Sequence, residues 1–292
     1  MTGLPGTDIS ETSFETLKRR SRWLGEYAQN FQSQTGEDGI ISKALSMLPE
    51  RNRWSVEFGA WDGKHFSNTY PLVERDGYQA VLIEGDEKKY QSLCTNYPFK
   101  DRGHFIHGFV GWEADDNLDT MLAKTAVPKD FDFLSIDIDG NDAHVWKAVK
   151  QYRPKLVLIE SNPTASNRID FVQPPDGNCN LGNSPAAMVR IGKEKGYELI
   201  SVTGPNLLFV DAKYYGIFGI PDNSLSVMRD ETDVTSLFLG FDGTVMMDGP
   251  GDLPWHGGKV KIKQVFPKIL RRYPPNYSKF QKLLFRMFEK VR

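Results

Sequence analysis

The chain has 292 residues, 39% of them hydrophobic and 25% charged, with a formal net charge of −2. That composition is globular rather than disordered, and near-neutral charge supplies no general attraction for nucleic acid. Its two cysteines, Cys94 and Cys179, stand far apart without metal-ligand spacing, which excludes a disulfide framework or zinc site as the default and suits a reducing compartment.

The opening MTGLPGTDISETS lacks the basic-then-apolar pattern of a secretory signal. No apolar run approaches the roughly 20 residues of a membrane helix. The expectation is a cytoplasmic protein with no transmembrane segment. From Glu11 to Phe31 the spacing of Phe14, Leu17, Leu24 and Tyr27 predicts an amphipathic helix. A second helix is expected after Thr35, with Ile40, Ile41, Ala44, Leu45 and Leu48 on one face. Thr35-Gly36-Glu37-Asp38 has capping-box spacing at its start.

Short apolar runs then alternate with helical stretches: Trp54–Phe58, Ala80–Glu84, His104–Phe109, Phe131–Ile138 and Lys155–Ser161. Near-continuous apolar strands separated by helices predict a parallel sheet buried on both faces. After a helix at Ser184–Gly196 come Tyr197–Val202 and Asn206–Asp211, separated only by Thr203-Gly204-Pro205. Three residues cannot hold a helical crossover, so these two strands must pair antiparallel. The expected α/β fold is Rossmann-like, with a mostly parallel seven-stranded sheet closed by a hairpin. An N-terminal helical extension (1–50) would precede the main domain (51–213), and a C-terminal accessory segment (214–292) would follow.

The first strand runs into Glu57-Phe58-Gly59-Ala60-Trp61-Asp62-Gly63, an acid-x-Gly-x-x-x-Gly turn. Glycines there let backbone approach a ligand closely. A dinucleotide fold wants G-x-G-x-x-G so that pyrophosphate can sit on the helix N-terminus; here Trp61 replaces the middle glycine and an acid comes first. Glu57 fits a cationic ligand better than a pyrophosphate. Glu84 ends the second strand, where an acid can accept both hydroxyls of a ribose. For both acids the plain alternative is a strand-end residue capping the next helix or facing solvent.

Ser135 to His144 is the densest polar stretch at a strand end. Asp137 and Asp139 share a strand face if the strand persists that far. Glu160 and Asn162 end the next strand, two apart. If those strands are neighbours, their oxygens converge at the carboxyl edge of the sheet, where open α/β sheets bind ligands and where a hard cation such as Mg²⁺ would be at home. Asp137, Glu160 and Asn162 are the candidate metal ligands; Asp137, Asp139 and His144 are the candidate catalytic groups, a carboxylate or the imidazole taking a proton from a hydroxyl. The alternatives stay open: Asp142 also reads as a first-turn acid favouring the helix dipole, and His144 as an ordinary helix histidine.

The stretches VEFGAWDGKHFSNTYPLVERDGYQAVLIEGD, DFLSIDIDGNDAHVWKAV and PKLVLIESNP resemble the FkbM-like family of class I S-adenosylmethionine-dependent methyltransferases, over about Gln34 to Asp211. The resemblance implies cofactor-binding roles for Glu57, Gly59, Ala60, Gly63, Glu84 and Asp137, with Asp139, Gly140 and Glu160 completing the family's pattern at strands four and five. It implies a lid role for Ser33–Gly39, with Gln34 at the cofactor. Trp61 and Asn141-Asp142 depart from that pattern. S-adenosylmethionine is the implied cofactor, and a sugar, glycan precursor or similar small acceptor the implied substrate. A nicotinamide-dependent oxidoreductase and a non-catalytic cofactor-binding scaffold are the alternatives.

The segment Asn162–Asn183 has no evident periodicity, which inside a compact domain suggests a binding loop at the acceptor side. Past Asp211 the chain is turn-rich. Its last 34 residues, from Lys259, hold eleven Lys or Arg and one acid, Glu289. There Tyr277, Phe280, Leu283, Leu284, Met287, Phe288 and Val291 trace a helical stripe. Such a helix can touch a membrane surface, its own domain or a second subunit in a homo-oligomer.

Overall fold

In the computed structural model, residues 8–253 and 256–289 are described, with side chains from residue 13 onward. The opening heptapeptide and Val291 therefore lie outside the described residues. The chain separates into two compact units, one reaching Asp230 and one starting at Glu231. The first unit opens with α1 (Asp8–Ser21) and α2 (Glu37–Met47), joined by a 3₁₀ turn at Trp23–Tyr27. The expected single helix to Phe31 is thus broken after Ser21. Leu24 of the turn is fully buried, while Phe14 and Tyr27 remain exposed.

The α/β body follows as β1 (Trp54–Phe58), α3 (Tyr70–Asp76), β2 (Gln79–Glu84), α4 (Glu87–Asn96), β3 (Gly103–His107), α5 (Leu118–Leu122), β4 (Phe133–Ile136), α6 (Asp142–Ala148), β5 (Leu156–Glu160), α7 (Pro185–Glu194), β6 (Tyr197–Thr203) and β7 (Asn206–Asp211). Its seven-stranded sheet has the order β3-β2-β1-β4-β5-β7-β6. Strands β1 to β5 pair in parallel, and β7 slots antiparallel between β5 and β6. The fold is the mostly parallel, hairpin-closed Rossmann-like sheet that the strand pattern predicts. The chain order reverses at β1/β4, which opens a crevice at the carboxyl ends of those strands.

The central strands are apolar on both faces because helices cover both. Val56, Val81, Leu82, Leu134, Val157 and Ile159 are fully buried. One charged pair lies within this core. Lys155 Nζ sits 2.6 Å from Asp132 Oδ1, both side chains nearly inaccessible. The Asp132 carboxylate also accepts the Asn52 and Arg53 backbone N–H groups at 3.1 and 2.8 Å, and so ties the entry of β1 to the entry of β5.

After β7 come α8 (Leu225–Met228) and the second unit, with the hairpins β8 (Ser236–Leu239)–β9 (Val245–Asp248) and β10 (Asp252–Leu253)–β11 (Gly258–Lys259), and then α9 (Lys279–Glu289). No described helix is long and apolar enough to cross a membrane.

Removing one partner of a buried ion pair strands the other charge. Asp132→Ala is therefore expected to cost about 3–5 kcal/mol of unfolding free energy, read as a lower urea midpoint, while substitution of the exposed Asp130 should leave the midpoint near its original value.

Candidate active site

Strand register brings the candidate acids together. Phe58 lies beside Ile83 on one side and Ile136 on the other, and Ile136 lies beside Ile159. The residues that leave these strands, Gly59, Glu84, Asp137 and Glu160, therefore emerge side by side at the carboxyl edge. A cavity of about 660 Å³ opens there, within the usual range for small-ligand sites. Gln34, Glu57, Gly59, Ala60, Glu84, Asp137 and Asp139 all line it.

The glycine turn is built for close approach. Gly59 has φ +73°, and a Cβ there would lie 2.7 Å from the Asp137 carbonyl oxygen. Ala60 is buried and donates its N–H to Ile83. Gly63 does something else. It does not line the cavity; a Cβ on it would strike Leu93 and Tyr97, each at 2.6 Å. Its glycine serves packing of the turn over α4.

The two strand-end acids differ in what they have left to offer. Glu57 is buried, and its carboxylate accepts from Ser67 Oγ at 2.6 Å, Thr69 Oγ1 at 2.5 Å and the Asn68 N–H at 2.9 Å. Burial pushes its pKa up, against those donors. It braces residues 67–69 beneath the cavity more than it presents free oxygens. Glu84 accepts one backbone N–H per oxygen, from Trp61 at 2.7 Å and Asp86 at 2.8 Å. Each oxygen keeps a lone pair for a ligand.

At the end of β4 the strand does not persist to Asp139. Asp137 follows its last residue, and Asp139 turns into the left-handed region at φ +57° with Gly140 at +138°. The turn nevertheless gathers Asp137, Asp139 and Glu160, whose carboxylate oxygens lie within 4.8 Å of one another. Asp142 stands apart: it is buried and accepts from the Ile138 and Gly140 N–H groups at 3.0 and 2.9 Å. Burial pushes Asp142 up to about 6. Desolvation, then the neighbouring carboxylates, raise both Asp137 and Glu160. Three oxygen-bearing acids at this spacing, without a basic partner among their hydrogen bonds, fit a hard divalent cation.

Several sequence expectations need correction. Asn162 is not part of this cluster: its Oδ1 accepts from Thr164 and its Nδ2 donates to the Leu181 carbonyl, so it shapes the loop after β5. His144 does not face the cavity. Its Nε2 lies 2.8 Å from the Gln173 carbonyl and its ring packs against Trp112. That carbonyl accepts only from a protonated Nε2, which fixes the tautomer and leaves this nitrogen unable to act as a base. The capping box at Thr35 does not form. Gly36 is the N-cap in the left-handed conformation, and Glu37 turns back to accept from Thr35, Thr203 and Asn206. Asp38 instead accepts the N–H groups of Phe31, Gln32 and Ser33, which ties down the segment carrying Gln34.

Sequence reasoning missed the aromatic wall. Trp61, His65, Phe66, Phe109 and Trp112 line the cavity, and Phe109 is 77% exposed. Its ring lies over Gly85, where any Cβ would overlap it. Among described residues, four non-glycine positions have positive φ, and three of them (Trp61, Phe66, Asp139) line this cavity. Strain of this kind concentrates at functional sites. Trp61 could have been flagged, since it departs from the glycine pattern; Phe109 carried no signal beyond its place after a strand. The loop after β5 also reaches the site. Gly177 lines the cavity, and Gln173 and Asn183 pin the loop to Asn141 and to the Gly140 carbonyl at 3.0 and 2.8 Å.

Residues 116–199 match the model of the methyltransferase FkbM domain. The chain is FkbM-like over this stretch, which spans β4, the acidic turn, β5 and α7. No curated protein matches the sequence. Among solved structures it is similar to a cofactor-bound protein from MTB (15% identity, 72% of this chain and 92% of that one, TM-score 0.41). It is also similar to an O-methyltransferase from Bacillus cereus in complex with SAH (18%, 70% and 91%, 0.40). A third similar structure is the glycopeptide N-methyltransferase MtfA with S-adenosylmethionine (12%, 71% and 98%, 0.36).

The crowded acids make the ligand-free first unit pH-sensitive. Carboxyls raised in the folded state hold protons that the unfolded chain gives up, so their cost grows as pH rises above ordinary carboxylate values. Glu160→Gln should therefore raise the melting temperature at about pH 7 and give no gain at about pH 3, below the unfolded carboxylate range. A variant equally changed at both pH values would refute the crowding.

Proposed function

We propose that this methyltransferase is an O-methyltransferase, transferring the methyl group of S-adenosylmethionine to a hydroxyl on a sugar, glycan precursor or similar small polar acceptor. The observation that carries the reading is the cavity itself: a free-edged Glu84 lines it together with Asp137 and Asp139, which have Glu160 close behind them, and the Gly59 turn joins the two. Glu84 has lone pairs for the two ribose hydroxyls. Asp137 places negative charge beside the turn, suited to the cationic end of the cofactor. Phe109, with its exposed face over Gly85, offers a stacking surface next to Glu84. When bound, the cofactor supplies an electrophilic methyl on a sulfonium.

The chain's own groups then have three tasks. Asp137 or Asp139 accepts the proton of the acceptor hydroxyl, a role open to them because neither side chain is consumed by backbone donors. Trp61, His65 and Phe66 wall the site and exclude water, and a hydroxyl-bearing ring can lie on their faces. The loop bearing Gly177 shapes the acceptor side. Asp137, Asp139 and Glu160 would hold a divalent ion such as Mg²⁺, which would lower the pKa of the acceptor hydroxyl.

Calorimetric titration checks the cofactor half. S-adenosylhomocysteine should bind and NAD should not, and Glu84→Gln should weaken the former at least about tenfold, or 1.4 kcal/mol; NAD binding in its place would point to an oxidoreductase. Methyl transfer to a panel of hydroxyl compounds, before and after EDTA, checks the rest. Turnover should fall on chelation and return with Mg²⁺, and full turnover in metal-stripped enzyme would remove the cation from the scheme.

A further inference from the structure

We propose that the second unit binds anionic phospholipid surfaces through α9. This helix begins with a reciprocal cap: Ser278 N–H donates to Gln281 Oε1 at 2.9 Å and Gln281 N–H to Ser278 Oγ at 3.2 Å. One flank packs onto its own unit. Phe285 meets Phe266 and Tyr277 with ring centroids 5.8 Å apart in each case, and Gln281 Nε2 donates to the Ile269 carbonyl at 2.7 Å. The docked flank is thus Tyr277, Gln281 and Phe285.

The neighbouring flank is left over. Phe280, Leu283 and Met287, spaced i, i+3, i+7, are 60%, 57% and 58% exposed. Side chains at this spacing form one ridge along a helix. Between that ridge and the docked flank, along one side of the helix, lie Lys279, Lys282 and Arg286, all exposed. An apolar ridge bordered by cations, on a helix whose other flank is already anchored, presents what an interfacial helix needs.

Charge selects the occupant. Eleven of the chain's 36 Lys and Arg fall in its last 34 residues, which hold one of its 38 acids. Such a cluster is attracted to the negative surface of an anionic bilayer, and each cation near that surface adds to binding. A purely apolar partner would leave the cations unused, and a zwitterionic membrane would use only the ridge. Seated on a membrane, the helix would lie in the interface plane with Phe280, Leu283 and Met287 among the acyl chains and the cations at the headgroups.

Vesicle flotation of the full chain tests this. Protein should rise with vesicles containing phosphatidylserine, rise far less with phosphatidylcholine alone, and be released by high salt. Leu283→Asp with Met287→Asp removes the ridge, and Lys282→Glu with Arg286→Glu reverses the border; each pair should cut flotation at least about tenfold. All four positions are partly or fully exposed, and an unchanged melting curve for each pair would show that the fold is intact. No flotation with anionic vesicles, or flotation indifferent to both pairs, overturns the proposal. So does a concentration-dependent dimer, seen by light scattering and abolished by Leu283→Asp with Met287→Asp, without vesicle binding. None of these readouts depends on methyl transfer.

Discussion

Beside Glu84, five carboxylates meet where β1, β4 and β5 end, and the structure divides them into two that the protein satisfies and three that it does not. Glu57 is held by Ser67, Asn68 and Thr69, and Asp142 by the Ile138 and Gly140 amides. Both are structural in effect: they fix the cavity floor and the turn after β4. Asp137, Asp139 and Glu160 are gathered together, and among the described residues none forms an ion pair with a basic side chain. Desolvation first, and then like charges this close, disfavour the ionised state, which is why Asp137 and Glu160 are raised. A fold tolerates such an arrangement when something positive completes it in use. The sulfonium and amino-acid ammonium of the cofactor and a divalent ion are the positive groups that the proposed reaction brings.

The rest of the first unit is arranged around that edge. Reversal of strand order at β1/β4 creates the crevice, and the buried Lys155–Asp132 pair locks the opposite ends of the same strands. Gly59 lets two strand ends approach until its Cα faces the Asp137 carbonyl. The left-handed residues Trp61, Phe66 and Asp139 then aim side chains over the opening at a local backbone cost. The stable part of the molecule is its apolar sheet; the strained part is its site.

The sheet was largely legible from sequence because β1, β2, β5 and β7 are apolar runs ended by acids or glycines, and a three-residue link forces the hairpin. The acidic cluster was legible for Asp137, Asp139 and Glu160, though not for the reason of shared strand face: β4 stops at Ile136, and a turn brings the side chains together. Asn162 and His144 looked equally eligible because sequence spacing carries no information on competing partners. The Leu181 and Gln173 carbonyls claim them. Phe109 and the Gln173 and Asn183 pins were illegible, since their roles come from loop paths with no periodicity. At Thr35 the local capping pattern lost to tertiary partners on β6 and β7.

The second unit adds a basic helix with an exposed apolar ridge, the surface proposed to meet anionic lipid. The central claim concerns the cavity, and a crystal structure of the full chain with S-adenosylhomocysteine tests it most directly. The ligand should lie against the Gly59 turn, its ribose hydroxyls on Glu84 and its amino-acid end toward Asp137. Density elsewhere, or an occupied cavity in which Glu84 touches no ribose, would contradict the account.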